Sequence, residues 1–315
     1  MSEAAIEATI EAREGQSPSL PLSGVSDWVT LLKPRVMTLV VFTGAIGLLI
    51  APVPLHPVLA FAAVLSIAIG AGAAGAINMW YDRDIDALMR RTKGRPIPAG
   101  RIAPSDALGF GVVLAVASVV IMALATNLLA GAVLALSILF YVGVYTMWLK
   151  RATPQNIVIG GAAGAFPPLI GWVAATGHLA LLPILLFLIV FFWTPPHFWA
   201  LSLYASGDYA RAGVPMLPVV AGARSTRRHI FFYTLLLVPL TLLPAALGLT
   251  GMIYGGAAAL LGGLFLHHAW RVLKDPQDET GRSLTGDAPA RMTFRYSILY
   301  LFLLFLALAI DRMMG

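Results

Sequence analysis

An all-α polytopic membrane protein with about nine transmembrane helices is the fold class this sequence predicts, on three observations. Of 315 residues 59% are hydrophobic and only 11% charged, with a mean hydropathy of +0.84, whereas a soluble domain carries roughly a quarter charged residues. Nine apolar runs approach the length of about 20 residues that crosses a bilayer. The basic residues alternate from one connection to the next, as membrane topology requires. Too little chain remains for a sizeable soluble domain, so any chemistry sits in the bilayer or at its rim. The formal charge of +6 follows from topology alone, and nucleic acid is excluded as a partner. The absence of cysteine rules out disulfides, thiolate metal sites, thioether haem attachment and a cysteine nucleophile.

Residues 1–32 read as a polar N-terminal tail, and 33–315 as the nine-helix membrane domain. The tail carries Glu3, Glu7, Glu11 and Glu14, the reverse of the basic start of a secretory signal. It is therefore expected to be retained on the cytoplasmic side, disordered at first and interfacial around Trp28. Apolar runs then place helices at 36–52, 57–80, 105–126, 129–149, 155–176, 180–203, 229–249, 252–273 and 293–310. Only Thr250 and Gly251 separate the seventh from the eighth, which leaves eight or ten spans as alternative counts. With the N-terminus inside, every basic residue except Arg312 falls on the cytoplasmic side, together with all the long loops.

Pro167-Pro168 and Pro195-Pro196 fall inside the fifth and sixth runs, where a proline removes a backbone donor, so these helices are expected to kink or break. Small residues, chiefly Gly70, Gly72 and Gly75, then Gly160, Gly161 and Gly164, then Gly255, Gly256, Gly262 and Gly263, are expected to let helix backbones approach closely. Both long charged loops follow an aspartate at the end of an even-numbered span, Asp82 and Asp208, a faint sign of two related halves.

The stretch from Asn78 to Asp86, at the cytoplasmic end of the second span, carries the clearest chemistry. In a helix, positions i, i+4 and i+8 share one face, so Asn78, Asp82 and Asp86 form an oxygen-bearing stripe about 12 Å long. Like charges at i and i+4 repel, and more so at a membrane rim of reduced dielectric. A divalent cation resolves that repulsion, and Mg²⁺ takes one or two carboxylates plus water and phosphate oxygens. The competing reading is a solvated loop with charges to spare. Against it, Arg90, Arg91, Lys93 and Arg95 follow at once, beside Gly94 and Pro96, which fix a turn. Carboxylates for a metal next to cations is what a diphosphate needs. The positive-inside effect accounts for the basic residues alone, not for the acids.

A second constellation runs from Thr194 to Pro218. His197 lies within the apolar run and Asp208 just beyond it. An ionisable side chain buried in a membrane helix marks function by default, the alternative being an imidazole bonded to a carbonyl that the prolines free. Trp80, Tyr81, Trp148, Tyr204 and Tyr209, at helix ends, read as interfacial anchors.

These residues resemble the UbiA superfamily of intramembrane prenyltransferases, and within it the haem O branch, over essentially the whole chain from about Lys33 onward. Asn78, Asp82 and Asp86 are similar to the superfamily's first Asp-rich motif, N-x-x-x-D-x-x-x-D. The branch is marked by Asn78 to Asp82 with Arg91 to Pro96, by Pro196 to Leu201, and by Asp208 to Pro218. The second motif, commonly D-x-x-x-D, departs from the superfamily: only Asp208 remains, with Tyr204 four residues before it. That departure puts a second Mg²⁺ in doubt and matches the haem O branch.

The resemblance implies helices around a central cavity opening near the cytoplasmic face of a bacterial-type plasma membrane. It implies transfer of the farnesyl group of farnesyl diphosphate to a vinyl group of haem B, giving haem O. Asn78, Asp82, Asp86 and Asp208 are then the catalytic set, the first three also holding Mg²⁺. Arg90, Lys93, Arg95, Tyr204 and Arg211 are expected to bind the diphosphate, and His197 the haem, through its iron or a propionate. Haem A synthase or terminal-oxidase assembly factors are the downstream partners such a product implies. Two rival readings are a prenyltransferase acting on an aromatic or quinone precursor and a secondary transporter. A transporter calls for ionisable residues near mid-bilayer, whereas every acid here except Asp311 lies on the cytoplasmic side.

Overall fold

The computed structural model describes residues 23–314; the stretch from Glu3 to Glu14, expected to be a cytoplasmic tail, lies outside the described residues. Its helices are α1 (Val25–Leu31), α2 (Pro34–Leu49), α3 (Pro57–Tyr81), α4 (Arg83–Leu88), α5 (Pro104–Ala125), α6 (Leu128–Ala152), α7 (Asn156–Thr176), α8 (Leu181–Tyr204), α9 (Ser206–Arg211), α10 (Leu217–Val220), α11 (Gly222–Ala246), α12 (Met252–Leu273) and α13 (Ala288–Met314). Eight are long and apolar enough to cross a membrane, namely α3, α5, α6, α7, α8, α11, α12 and α13. Helices α1 and α2, bent by 53° at the Leu32-Lys33 break, together make a ninth. Lys33 takes the left-handed conformation at that bend, and Pro34, with its fixed φ and no N–H to lose, starts α2.

Helix ends follow local chemistry. His56 caps α3 by accepting from the Val58 N–H, with Pro57 in the first turn, and Asn127 caps α6 through the Ala130 N–H. Two groups of four spans result. Helices α3, α5, α6 and α7 pack in succession, as do α8, α11, α12 and α13, and α2 closes the gap by touching α3, α7 and α13. Each group begins with a span followed by a short helix, α3 by α4 and α8 by α9, which gives the two-halves pattern a structural form.

Three expectations need correction. Helices α7 and α8 continue through Pro167-Pro168 and Pro195-Pro196, so the prolines do not break them, as neighbouring helices in a membrane bundle can re-satisfy the backbone groups that proline frees. Helices α11 and α13 start at Gly222 and Ala288, well before their apolar runs. The extra turn of α11 is held by Arg227, fully buried against Asp275, Asp287 and the Gly281 carbonyl. The glycines also divide differently. The tightest approach joins α2 to α7, where a Cβ added at Gly47 would overlap the Pro168 carbonyl and one at Gly171 the Gly44 carbonyl. Gly256 and Gly263 face open space, whereas Gly70, Gly160 and Gly161, which line a cavity with Gly75 and Gly164, are also closely approached, by Leu134, Tyr145 and Thr194 of neighbouring helices, as expected.

Candidate active site

Helix α3 ends at Tyr81, and Asp82 joins it to α4, yet the backbone ladder continues across the junction. The Asp82 N–H donates to the Asn78 carbonyl at 2.9 Å and the Asp86 N–H to the Asp82 carbonyl at 2.8 Å. The stripe therefore survives the change of helix. All three side chains turn inward, with Asn78 3% exposed and both aspartates 0%.

Each polar atom on the stripe has a definite partner or conspicuously none. Lys33 Nζ donates to Asn78 Oδ1 at 2.5 Å; Asn78 Nδ2 donates to Asp82 Oδ2 at 2.7 Å and to Thr146 Oγ1 at 3.1 Å. Lys150 pairs with the same Asp82 Oδ2, and Arg95 Nη1 with Asp86 Oδ2 at 2.5 Å. That leaves Asp82 Oδ1 and Asp86 Oδ1 buried with no hydrogen bond; Arg151 Nη2 stands 3.6 Å from the first. Buried polar oxygens are almost always satisfied, so two orphaned carboxylate oxygens on one stripe fit a hard cation completed by water and phosphate. Among the described residues no group of three or more His, Asp or Glu is arranged to hold a metal.

The stripe borders a cavity of about 550 Å³ between the two groups of spans, within the range of small-molecule sites. Lys33, Asn78, Asp86, Arg91, Arg95 and Lys150 line its polar end, with Asp82 immediately behind Asn78 and Lys150. The remaining wall is apolar and aromatic, including Tyr141, Tyr145, Trp193 and Phe294. Tyr141 and Tyr145 belong to a π-helical stretch of α6, Phe140–Leu149. Its wider turn brings residues four apart nearly into line, and the two rings lie 5.4 Å apart; such distortions are frequent at functional sites.

Outside the cavity, Arg151 clamps the end of α6 to α4 through both oxygens of Asp84. Its guanidinium holds the Asp84 carboxyl below the usual carboxylate range. Burial raises the Tyr209 phenol, which Arg91 opposes.

The structure brings together only part of the set read from the sequence. Asn78, Asp86, Arg95 and His197 line the cavity, and Asp82 backs it. Arg90 and Lys93 are exposed and do not line it. The Thr92 hydroxyl donates to the Asp86 carbonyl at 2.8 Å and pins the turn, from which Arg95, half-buried, and Arg91, itself exposed, border the cavity. Asp208 pairs with Arg211 along α9, and Tyr204 carries Arg291 over its ring at 4.4 Å; none of these reaches the lining. Tyr209, read as an interfacial anchor, is instead buried in the cavity wall. Lys33 and Lys150 are absent from the sequence reading of the site. They lie 45 residues from Asn78 and 68 from Asp82, respectively, and only the packing of α2 and α6 on α3 brings them in.

The model of the UbiA prenyltransferase family matches residues 40–298. A protohaem IX farnesyltransferase of Granulibacter bethesdensis is 67% identical over 301 residues, which cover 93% of this chain and 95% of that one. Among solved structures, a digeranylgeranylglyceryl phosphate synthase superposes with a TM-score of 0.75 at 20% identity, covering 92% of this chain and 99% of the other. A UbiA homologue from Archaeoglobus fulgidus, bound to DMAPP and Mg²⁺, does so with a TM-score of 0.65 at 18% identity, over 89% of this chain and 99% of the other. At these identities the two structures support the fold.

Proposed function

The chain belongs to the UbiA prenyltransferase family, and within it to the protohaem IX farnesyltransferases; from that membership we propose that it converts haem B to haem O. Farnesyl diphosphate is the donor, a porphyrin vinyl group the acceptor and diphosphate the leaving group. One observation carries the reaction class: two unbonded carboxylate oxygens buried among cations at the polar end of an otherwise apolar cavity. The acceptor rests on the near full-length identity to relatives of that name.

Chemically, the allylic C–O bond is the obstacle, because negative charge collects on the departing diphosphate. Lys33, Arg91, Arg95 and Lys150 line the polar end and meet that charge from fixed positions, in a site that needs no reorganisation as the bond breaks. Asp82 and Asp86, with Asn78 beside them, would hold Mg²⁺, which when bound adds its own charge against the leaving group. Arg90 and Lys93, exposed on the turn after α4, and Arg211, exposed at the end of α9, draw the anion in before the cavity-lining cations hold it. The aromatic wall keeps bulk water from the allylic cation and stabilises it through ring faces. The terminal vinyl carbon then bonds to the farnesyl C1, and water adds its oxygen to the ring-side carbon and loses a proton. His197, in the apolar wall, contacts the haem. The basic rim orients this end to the cytoplasm, with the N-terminus inside a bacterial plasma membrane.

The test is mass analysis of haems from a host lacking its own enzyme and making this chain. Haem O is the expected product. A prenylated 4-hydroxybenzoate or dihydroxynaphthoate, with haem B unchanged, would refute the proposal.

A further inference from the structure

His197 is held with unusual completeness for a cavity-lining side chain. Its ring lies between Trp193, 4.3 Å away and inclined by 17°, and Phe294, 4.6 Å away and inclined by 24°. Nδ1 is 2.7 Å from Ser297 Oγ, on α13. The same serine receives Trp193 Nε1 on its carbonyl at 2.8 Å, so α8 is pinned to one residue of α13 twice. Both ring faces and one edge are thereby occupied. Phe198 meets the ring edge-on at 5.1 Å; Nε2 has no hydrogen-bond partner among the described residues, and His197 lines the cavity.

The proton positions follow from the serine. Ser297 Oγ donates to the Phe294 carbonyl, one helical turn back, at 2.7 Å. If the hydroxyl keeps its proton on that carbonyl, Oγ meets Nδ1 as an acceptor and Nδ1 carries the hydrogen. No carboxylate contacts the ring, which sits among aromatic groups, so nothing supports a second proton. Nε2 is then an unprotonated lone pair on a side chain that lines the cavity. A propionate would require an N–H at that position; a metal centre requires the lone pair.

We propose that Ser297 is a positioning residue that fixes this tautomer, so that His197 Nε2 serves as an axial ligand to the iron of the haem substrate. The inference rests on haem B being the acceptor. It converts a residue that merely faces the substrate into one that sets the height and tilt of the porphyrin against the prenyl donor. A partner on the far nitrogen of a ligating histidine is the usual means of fixing ring orientation, and its loss typically costs about 10–100-fold in metal affinity.

The experiment is a haem B titration of the purified full-length protein, read by the Soret band, by dissociation constant and by the Fe–His stretch in resonance Raman. His197→Ala should lose the imidazole-ligated spectrum, and added imidazole should restore it. Ser297→Ala should keep ligation but weaken haem binding about tenfold and lower the Fe–His stretch, while Ser297→Thr, which retains the hydroxyl, should recover both. If Ser297→Ala does not fold, Ser297→Cys, with its weaker acceptor, carries the same comparison. Wild-type affinity and an unchanged stretch in the serine variants would overturn the role of Ser297. An unchanged Soret band in His197→Ala would remove the histidine from the haem, and this inference with it. In either case haem O production by the wild type would still stand, so these failures are separable from failure of the proposed reaction.

Discussion

Asp82→Asn tests the metal stripe with the least disturbance of shape. The amide keeps an oxygen for the two donors that meet at Asp82 Oδ2, Asn78 Nδ2 and Lys150 Nζ, but it removes the negative charge and places an NH₂ on the stripe. Two costs follow, and they separate. Removing one partner of a buried ion pair costs about 3–5 kcal/mol, but Lys150 retains 14% side-chain exposure and borders the cavity, where water can reach it. With a neutral hydrogen bond kept, the loss of stability should be about 1–2 kcal/mol. Turnover should fall much further, by about 10²–10³, the usual loss when one preorganised group is removed from a developing charge. The assay is haem O formation from haem B and farnesyl diphosphate at saturating Mg²⁺, alongside thermal unfolding of the same preparations. A variant with turnover within about threefold of the wild type would refute the assignment, however much its stability changed.

Three further outcomes follow from the geometry. Arg95→Gln and Arg91→Gln should each raise KM for farnesyl diphosphate by about tenfold, at about 1.4 kcal/mol, whereas Arg90→Gln and Lys93→Gln, outside the lining, should change steady-state rates less than about threefold; equal effects from both pairs would contradict the orientation of this turn. Gly171→Ala drives a methyl into the Gly44 carbonyl and should destabilise the chain by at least about 1–3 kcal/mol, while Gly263→Ala, which meets open space, should be neutral or better; thermal melts in detergent distinguish them. Arg227→Met leaves Asp275 and Asp287 without their buried counter-charge and should cost about 3–5 kcal/mol near neutral pH. Burial already pushes the Asp287 carboxyl above its usual range against the pull of Arg227, so without the arginine it should rise further. The deficit should therefore shrink as pH falls through that raised pKa; a deficit independent of pH would argue against the ion cluster as its cause.

The spans were legible because each is a closed local calculation. Length and hydropathy place α3, α5, α7, α8 and α12 within a residue of their ends and α6 within three, since a bilayer leaves a helix as the simplest way to satisfy its own backbone. Legibility fails where partners are distant. The first turns of α11 look like loop until Arg227 meets acids 48 and 60 residues away. The acidic stripe was visible because its spacing lies within one helix, whereas Lys33 and Lys150 carry no local mark. Arg90 and Arg91 cannot be told apart in a run of cations; both are exposed, and only Arg91 borders the cavity.

The resting arrangement also says how the ligands should bind. Two buried carboxylates cannot stand alone, and each lends one oxygen to a cation, Lys150 or Arg95, while keeping the other unbonded. A diphosphate entering without metal must compete with those carboxylates for the same cations. A metal entering without diphosphate meets carboxylates already neutralised by Lys150 and Arg95. With both present, a metal held by the carboxylate oxygens would free the cations for the diphosphate, so each ligand would remove the obstacle to the other. Binding should be mutually cooperative, with a coupling of about 1–3 kcal/mol, equal whichever ligand is added first. Calorimetry with a non-hydrolysable farnesyl diphosphate analogue, at zero and saturating Mg²⁺, measures it without turnover. Asp86→Asn, which loosens the hold on Arg95, should reverse the pattern by improving metal-free diphosphate binding while abolishing the gain from Mg²⁺. Independent binding in the wild type, or an unchanged metal effect in Asp86→Asn, would mean that the ion pairs are scaffolding that the substrates never disturb.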